Sequence, residues 1–122
     1  MERLILITLS LLFYSTAQAQ YFSLSGVIKE QIAPPELTID EKPHKYLGLV
    51  LDKPIPMNVY SEDTDEKKLF KNVTIVQVGW KGDLIKFKGK KVNLLSQNCI
   101  NSQSAHIYTD VMCEIEKINV IK

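Results

Sequence analysis

His106, Tyr108 and Asp110 are the residues of this 122-residue chain whose types and spacing come nearest to chemistry. In an extended segment alternate residues point to one face, so the three would share a face at intervals of about 6–7 Å along the strand. Such a row could serve an enzyme, or could offer a divalent ion two ligands, His106 and Asp110. A metal site needs about three or four ligands, and the other histidine, His44, lies in a loop far away in sequence. The plainer expectation is a solvated strand face ending in a loop histidine; a binding surface is the alternative. No G-x-S-x-G elbow accompanies the serines, and Cys99 and Cys113 lack redox C-x-x-C spacing. The acid pairs Glu62-Asp63 and Asp65-Glu66 read as a solvated helix start rather than glycosidase carboxylates. The sequence predicts no catalytic residues, no cofactor and no metal.

Trp80 follows Gly79 and precedes Gly82, at the end of an apolar run. It is expected either to close one end of a small core or to mark a protein or sugar contact. Lys86-Phe87-Lys88-Gly89-Lys90-Lys91 is a basic loop holding one aromatic ring, a pattern that single-stranded nucleic-acid binders use. The whole chain, however, balances fifteen lysines and arginines against fourteen acids, a formal net charge of +1. A nucleic-acid partner is therefore not expected. Exposed lysines that discourage edge pairing explain the loop, and contact with anionic envelope polymers or lipid head groups is the alternative.

The first nineteen residues read as an export signal. Met1-Glu2-Arg3 is followed by the apolar run Leu4–Phe13, and Ala17-Gln18-Ala19 is a small-x-small cleavage site. A spanning helix needs about 20 apolar residues, and this run is roughly half that. Cleavage after Ala19 would leave Gln20–Lys122 as a single domain, periplasmic or secreted and not embedded in the membrane. In an oxidising compartment the two cysteines, Cys99 and Cys113, favour a disulfide. Closing a loop of about 15 residues would contribute about 3 kcal/mol in the chain-entropy model. If Val92–Asn98 and His106–Cys113 formed a short hairpin, Cys113 would face Lys91 and the bridge could not form. A bridge then requires either that the 98–105 loop folds back or a wider loop with Cys99 opposite Cys113; the alternative is two thiols packed separately.

The elements that must position these residues read mostly as strands. Phe22, Leu24, Gly26 and Ile28 alternate with Ser23, Ser25, Val27 and Lys29, and Pro34-Pro35 stops the run. Lys45–Leu51 predicts a second strand, Asp52-Lys53-Pro54 a turn and Ile55–Tyr60 a third strand at an edge. Ser61–Asn72 predicts the one short helix, capped by Thr64 or Asp65. Val73–Trp80 and Lys91–Gln97 are further strands, with Leu84–Phe87 a short strand or helical turn. Ile107, Thr109, Val111, Cys113 and Ile115 alternate along a last strand, after which Ile118 and Val120 change parity, predicting a bulge or bend near Glu116–Lys117. The fold expected is all-β with one short helix, a small OB-like, partly open barrel of five to six strands. A β-sandwich is the alternative.

Several of these segments resemble a family of small exported bacterial proteins, the domain of unknown function DUF4431. The matching pieces are Leu24-Ser25-Gly26-Val27, Pro34-Pro35, Tyr46-Leu47-Gly48-Leu49-Val50-Leu51-Asp52-Lys53-Pro54-Ile55, Val76-Gln77-Val78, Gly89-Lys90-Lys91-Val92 and Ser104–Val111. They cover nearly all of Gln20–Lys122 in the family's order. The resemblance implies a Gram-negative envelope or secreted protein with a compact β fold, and no established activity. Family members tend to carry a histidine-rich stretch where this chain has Ala105–Thr109. With only His106 present here, a metal role does not carry over. The expectation is a monomeric, non-catalytic binding, adaptor or inhibitor-type domain for an envelope protein or glycan, with Trp80, His106, Tyr108 and Asp110 as candidate contacts. The alternatives are a structural or stress-protective envelope protein without a discrete ligand, and an enzyme using His106, Tyr108 and Asp110.

Overall fold

The computed structural model describes residues 21–104 and 106–121. The predicted leader, residues 1–19, and its cleavage after Ala19 lie outside them.

The described chain is all-β, with seven strand segments: β1 (Phe22–Ala33), β2 (His44–Ser61), β3 (Glu66–Gly79), β4 (Lys91–Ser96), β5 (Asn98–Asn101), β6 (Met112–Glu114) and β7 (Lys117–Val120). β1 pairs antiparallel with β2 and with β4, β2 with β3, and β4 with β7, while β6 lies parallel to β3. Following these ladders returns to the start, because β6 and β7 are one pass of chain split by a bend. At that bend Ile115 N–H donates to the Gly79 carbonyl (2.8 Å) on β3, and Glu116 N–H donates to the Leu95 carbonyl (2.9 Å) on β4. Consecutive residues thus hand the strand from one neighbour to the other and close a barrel. The expected parity change beyond Ile115 has this cause. Five passes form the ring, and β5 adds a sixth strand between β6 and the end of β2. All seven segments belong to one sheet rather than the two of a sandwich.

Period-two patterning fills the interior. Leu24 and Ile28 of β1, Leu49 and Leu51 of β2, Val76 and Val78 of β3, Val92 and Leu94 of β4, with Val111, Cys113 and Ile115, are all buried in one cluster. Gly26 sits where β1 passes from β4 to β2, paired with both Leu51 and Val92. A Cβ built there would lie 2.1 Å from the Val50 carbonyl oxygen, so only glycine allows the two backbones to approach this closely.

Three local expectations are corrected. Asp52-Lys53-Pro54 is not a turn: β2 runs through it as one bent strand. The ladder to β3 shifts register between Val50 and Ile55 and again between Ile55 and Met57. Pro54 and Pro56 stand at these irregularities, where a missing N–H breaks no regular ladder. Ser61–Asn72 is not a helix. Residues 62–65 turn the chain, Asp65 adopts φ +56°, and β3 begins at Glu66. Asp65 N–H donates to the Ser61 carbonyl (2.9 Å), and the Tyr60 hydroxyl donates to the Asp65 carboxylate. A two-turn helix is marginal by itself and had only Leu69 and Phe70 to bury. As a strand, the segment places Phe70 beside Met57 and satisfies its backbone on β2. The last strand is also shorter than expected. Regular pairing is confined to Met112–Glu114, while residues 106–111 run as irregular chain across β3.

Candidate functional site

Two loops meet at one end of the barrel and leave an open groove of about 740 Å³ between them. One wall is the β1–β2 connection. Pro34 and Pro35 end β1 and start a 3-10 turn at Pro35–Leu37. Leu37 N–H and Thr38 N–H donate to the carbonyls of Pro34 (3.0 Å) and Pro35 (3.1 Å). The Thr38 hydroxyl reaches the Lys42 carbonyl (2.7 Å), and an Asp40 carboxylate oxygen accepts from Lys42 N–H (3.2 Å). His44 Nε2 lies 2.7 Å from the same Asp40 oxygen and holds the Asp40 carboxyl below its usual range. The loop is therefore braced on itself and presents Leu37 and Ile39 outward, 58% and 78% exposed.

The second wall, residues 102–104 and 107–110, belongs to the β5–β6 connection and is positioned by a residue that sequence reasoning passed over. Gln77 Nε2 donates to the His106 carbonyl (2.7 Å), and Tyr108 N–H donates to Gln77 Oε1 (2.7 Å). This two-point clamp brackets His106 and Ile107, and His106 takes φ +73°. The Thr109 hydroxyl accepts from Gln77 N–H (3.1 Å) and donates to the Val111 carbonyl (2.6 Å). Asn101 Nδ2 donates to the Asp110 carbonyl (2.8 Å), while the Ser61 hydroxyl donates to Asn101 Oδ1 (2.8 Å). A lone amide in the otherwise apolar run Ile75–Val78 was the available signal for Gln77.

The Tyr108 ring leans on Tyr46, with centroids 5.3 Å apart and planes tilted by 42°, an arrangement aromatic pairs favour. Partial burial raises the Tyr46 phenol above its ordinary value of 10.0. Because the folded-state value is the higher one, this contribution to stability is present below pH 10 and is lost as pH rises through the raised value. The Tyr60 phenol is raised as well, by its hydrogen bond to the Asp65 carboxylate. A spectrophotometric titration is expected to show these two tyrosines ionising later than the rest, and Tyr46→Phe to remove one of the two. If both late ionisations persist in Tyr46→Phe, the assignment to Tyr46 is wrong.

The predicted contacts divide. Tyr108 and Asp110 line the groove, with Glu36, Leu37, Ile39, Ser102, Ser104 and Ile107 among its other walls, but His106 does not. His106, Tyr108 and Asp110 do not share a strand face, because the clamp on Gln77 replaces regular extended pairing there. Trp80 is elsewhere. It is half-buried against the core, and its indole lies so close over Gly82 that a Cβ there would come within 2.6 Å of Nε1. In the basic loop Phe87 packs on the core, with Lys86 Nζ 5.2 Å from its ring centroid. Lys88 pairs with Glu30 and Lys91 with Asp52, each at 3.5 Å. Cys99 and Cys113 are bonded as a directly opposed β5–β6 pair, Cα atoms 4.1 Å apart, so of the two routes to a bridge the wider loop is the one taken. Among the described residues no group of three or more His, Cys, Asp and Glu is placed to hold a metal ion. Nor is any described helix long and apolar enough to cross a membrane.

No protein-family profile, curated protein or solved structure matches this chain.

Proposed function

We propose that this is an exported, non-catalytic binding domain of the adaptor or inhibitor type, in keeping with its resemblance to DUF4431, and that it engages an envelope protein or glycan at the groove between residues 36–39 on one side and 102–104 and 107–110 on the other. One observation carries this reading: Leu37 and Ile39 stand exposed on a loop whose own hydrogen bonds keep it from folding them inward. Large apolar side chains held in solvent beside a polar-rimmed groove are the ordinary mark of a contact surface. Tyr108, a rigid amphipathic ring supported by Tyr46, is the natural anchor. The groove is also where loops at the end of an OB-like barrel bind their ligands. The enzyme alternative needs His106, Tyr108 and Asp110 in one concavity, and His106 lies outside this one.

The test is site-specific photocrosslinking in the native envelope. A photoreactive residue at Ile39 is expected to capture a defined partner. One at Leu69, exposed but outside the groove, is expected not to. Tyr108→Ala should reduce capture at least tenfold, a loss typical of an aromatic hot spot, without lowering the melting temperature by more than a few degrees. Equal capture from both positions, or none from Ile39, would count against the groove and favour a structural envelope protein.

A further inference from the structure

The charge around the groove is one-sided, and this narrows its occupant. Glu36 and Asp110 line it, and no lysine, arginine or histidine does. A third carboxylate, Asp63, reaches the same rim, its oxygen accepting from Gln103 N–H at 3.4 Å. Among the described residues none of these three acids is ion-paired. Lys45 and Lys88 are spent on Glu30, Lys91 on Asp52, and His44 on Asp40. Between the carboxylates stand Leu37, Ile39 and Tyr108, with Leu37 and Ile39 largely exposed. An anionic polymer or lipid headgroup would meet like charge here, and a neutral sugar, although its hydroxyls can donate to the carboxylates, would make no use of the one-sided charge or of the apolar side chains between them. A segment that alternates cationic and apolar side chains would satisfy both features, since successive residues of an extended peptide point to opposite sides.

We infer that the groove binds an extended, lysine- or arginine-bearing peptide segment of a partner protein, its apolar side chains against Leu37, Ile39 and Tyr108 and its cations toward Glu36 and Asp110. This rests on the reading of the groove as the binding site and specifies what occupies it.

The test is an NMR titration of the isotopically labelled protein with three probes: an alternating lysine–leucine hexapeptide, its glutamate–leucine counterpart and a neutral chitooligosaccharide. The lysine peptide is expected to shift the amides of Leu37, Ile39 and Tyr108. Its affinity should fall at least fivefold between 50 and 500 mM salt, as screening demands, and a similar amount in the double variant Glu36→Gln/Asp110→Asn, whose exposed substitutions preserve the fold. The glutamate peptide should not bind. If the sugar shifts these amides and the lysine peptide does not, the cationic-peptide inference is overturned while the groove stands. It is equally overturned if the lysine peptide binds with no dependence on salt or on the double variant. If the lysine peptide shifts only residues outside the groove, and Ile39 crosslinks to nothing in the envelope, the groove reading fails as well.

Discussion

Gly26→Ala is expected to lower stability by about 3 kcal/mol, the upper part of the range for steric overpacking. For a domain of this size that is a fall in melting temperature of roughly 12–24 °C. The new methyl would fall 2.1 Å from the Val50 carbonyl oxygen and 2.9 Å from the Leu51 Cα. Both obstacles are backbone, so no side chain can rotate away to relieve the clash. The ladder from Gly26 to Leu51 is also where β1 joins β2 while still paired to β4, and widening it opens the barrel at its crossing point. Gly79→Ala is the matched control. Its Cβ would meet Met112 Cε at 3.5 Å, an ordinary contact, and reduced freedom of the unfolded chain is expected to leave stability unchanged or raise it by about 0.4–1 kcal/mol. Thermal melts followed by circular dichroism decide the matter. A Gly26→Ala protein that melts within a few degrees of the parent would show that the crossing is looser than the structure has it.

The second large effect concerns the bridge. Cys99→Ala/Cys113→Ala is expected to cost about 3 kcal/mol, the loop-entropy value for a ring of about 15 residues; the two cysteines are separated by 14 positions. The consequence reaches beyond stability, because residues 102–104 and 107–110, one wall of the groove, lie inside that ring. Crosslinking through Ile39 should weaken in the double variant even at temperatures where it stays folded. Both sulfurs are buried, Cys113 completely and Cys99 to 5% exposure. The native protein should therefore resist alkylation until it is denatured and reduced, with an intact mass lighter by two hydrogens than the dithiol. Ready alkylation of both cysteines in the folded protein would refute the bridge, and an unchanged melting temperature in the double variant would refute its contribution.

Much of the barrel was legible because alternation is a local signal. Leu24, Gly26 and Ile28 face inward two residues apart, as do Val111, Cys113 and Ile115, and no knowledge of their neighbours is needed to see it. The change of parity after Ile115 was likewise visible in the residues and belongs to a real bend. The helix expected at Ser61–Asn72 failed for the opposite reason. Its capping residues and its order of acids before lysines are local preferences worth tenths of a kcal/mol to about 1 kcal/mol each. The decisive partner, Met57–Ser61, lies just upstream and offers a complete ladder. The site was legible only in part. Tyr108 and Asp110 were picked out by type, but Leu37 and Ile39 sit in a stretch that reads as polar loop, and Gln77 reads as one of several polar residues along a strand.

The sequence by itself determined the all-β class, the inward-facing residues and the presence of one cysteine pair, because these depend on the period of the chain and on residue chemistry. Tertiary structure alone decided which strands are neighbours, that Cys99 stands opposite Cys113, and that residues 36–39 face residues 102–104 and 107–110 across a groove. These are pairings between segments distant in sequence, selected by the register of β5 on β6 and by the Gln77 clamp. A one-residue slip in either would turn every side chain on that pass to the other face, and no local pattern records which register wins.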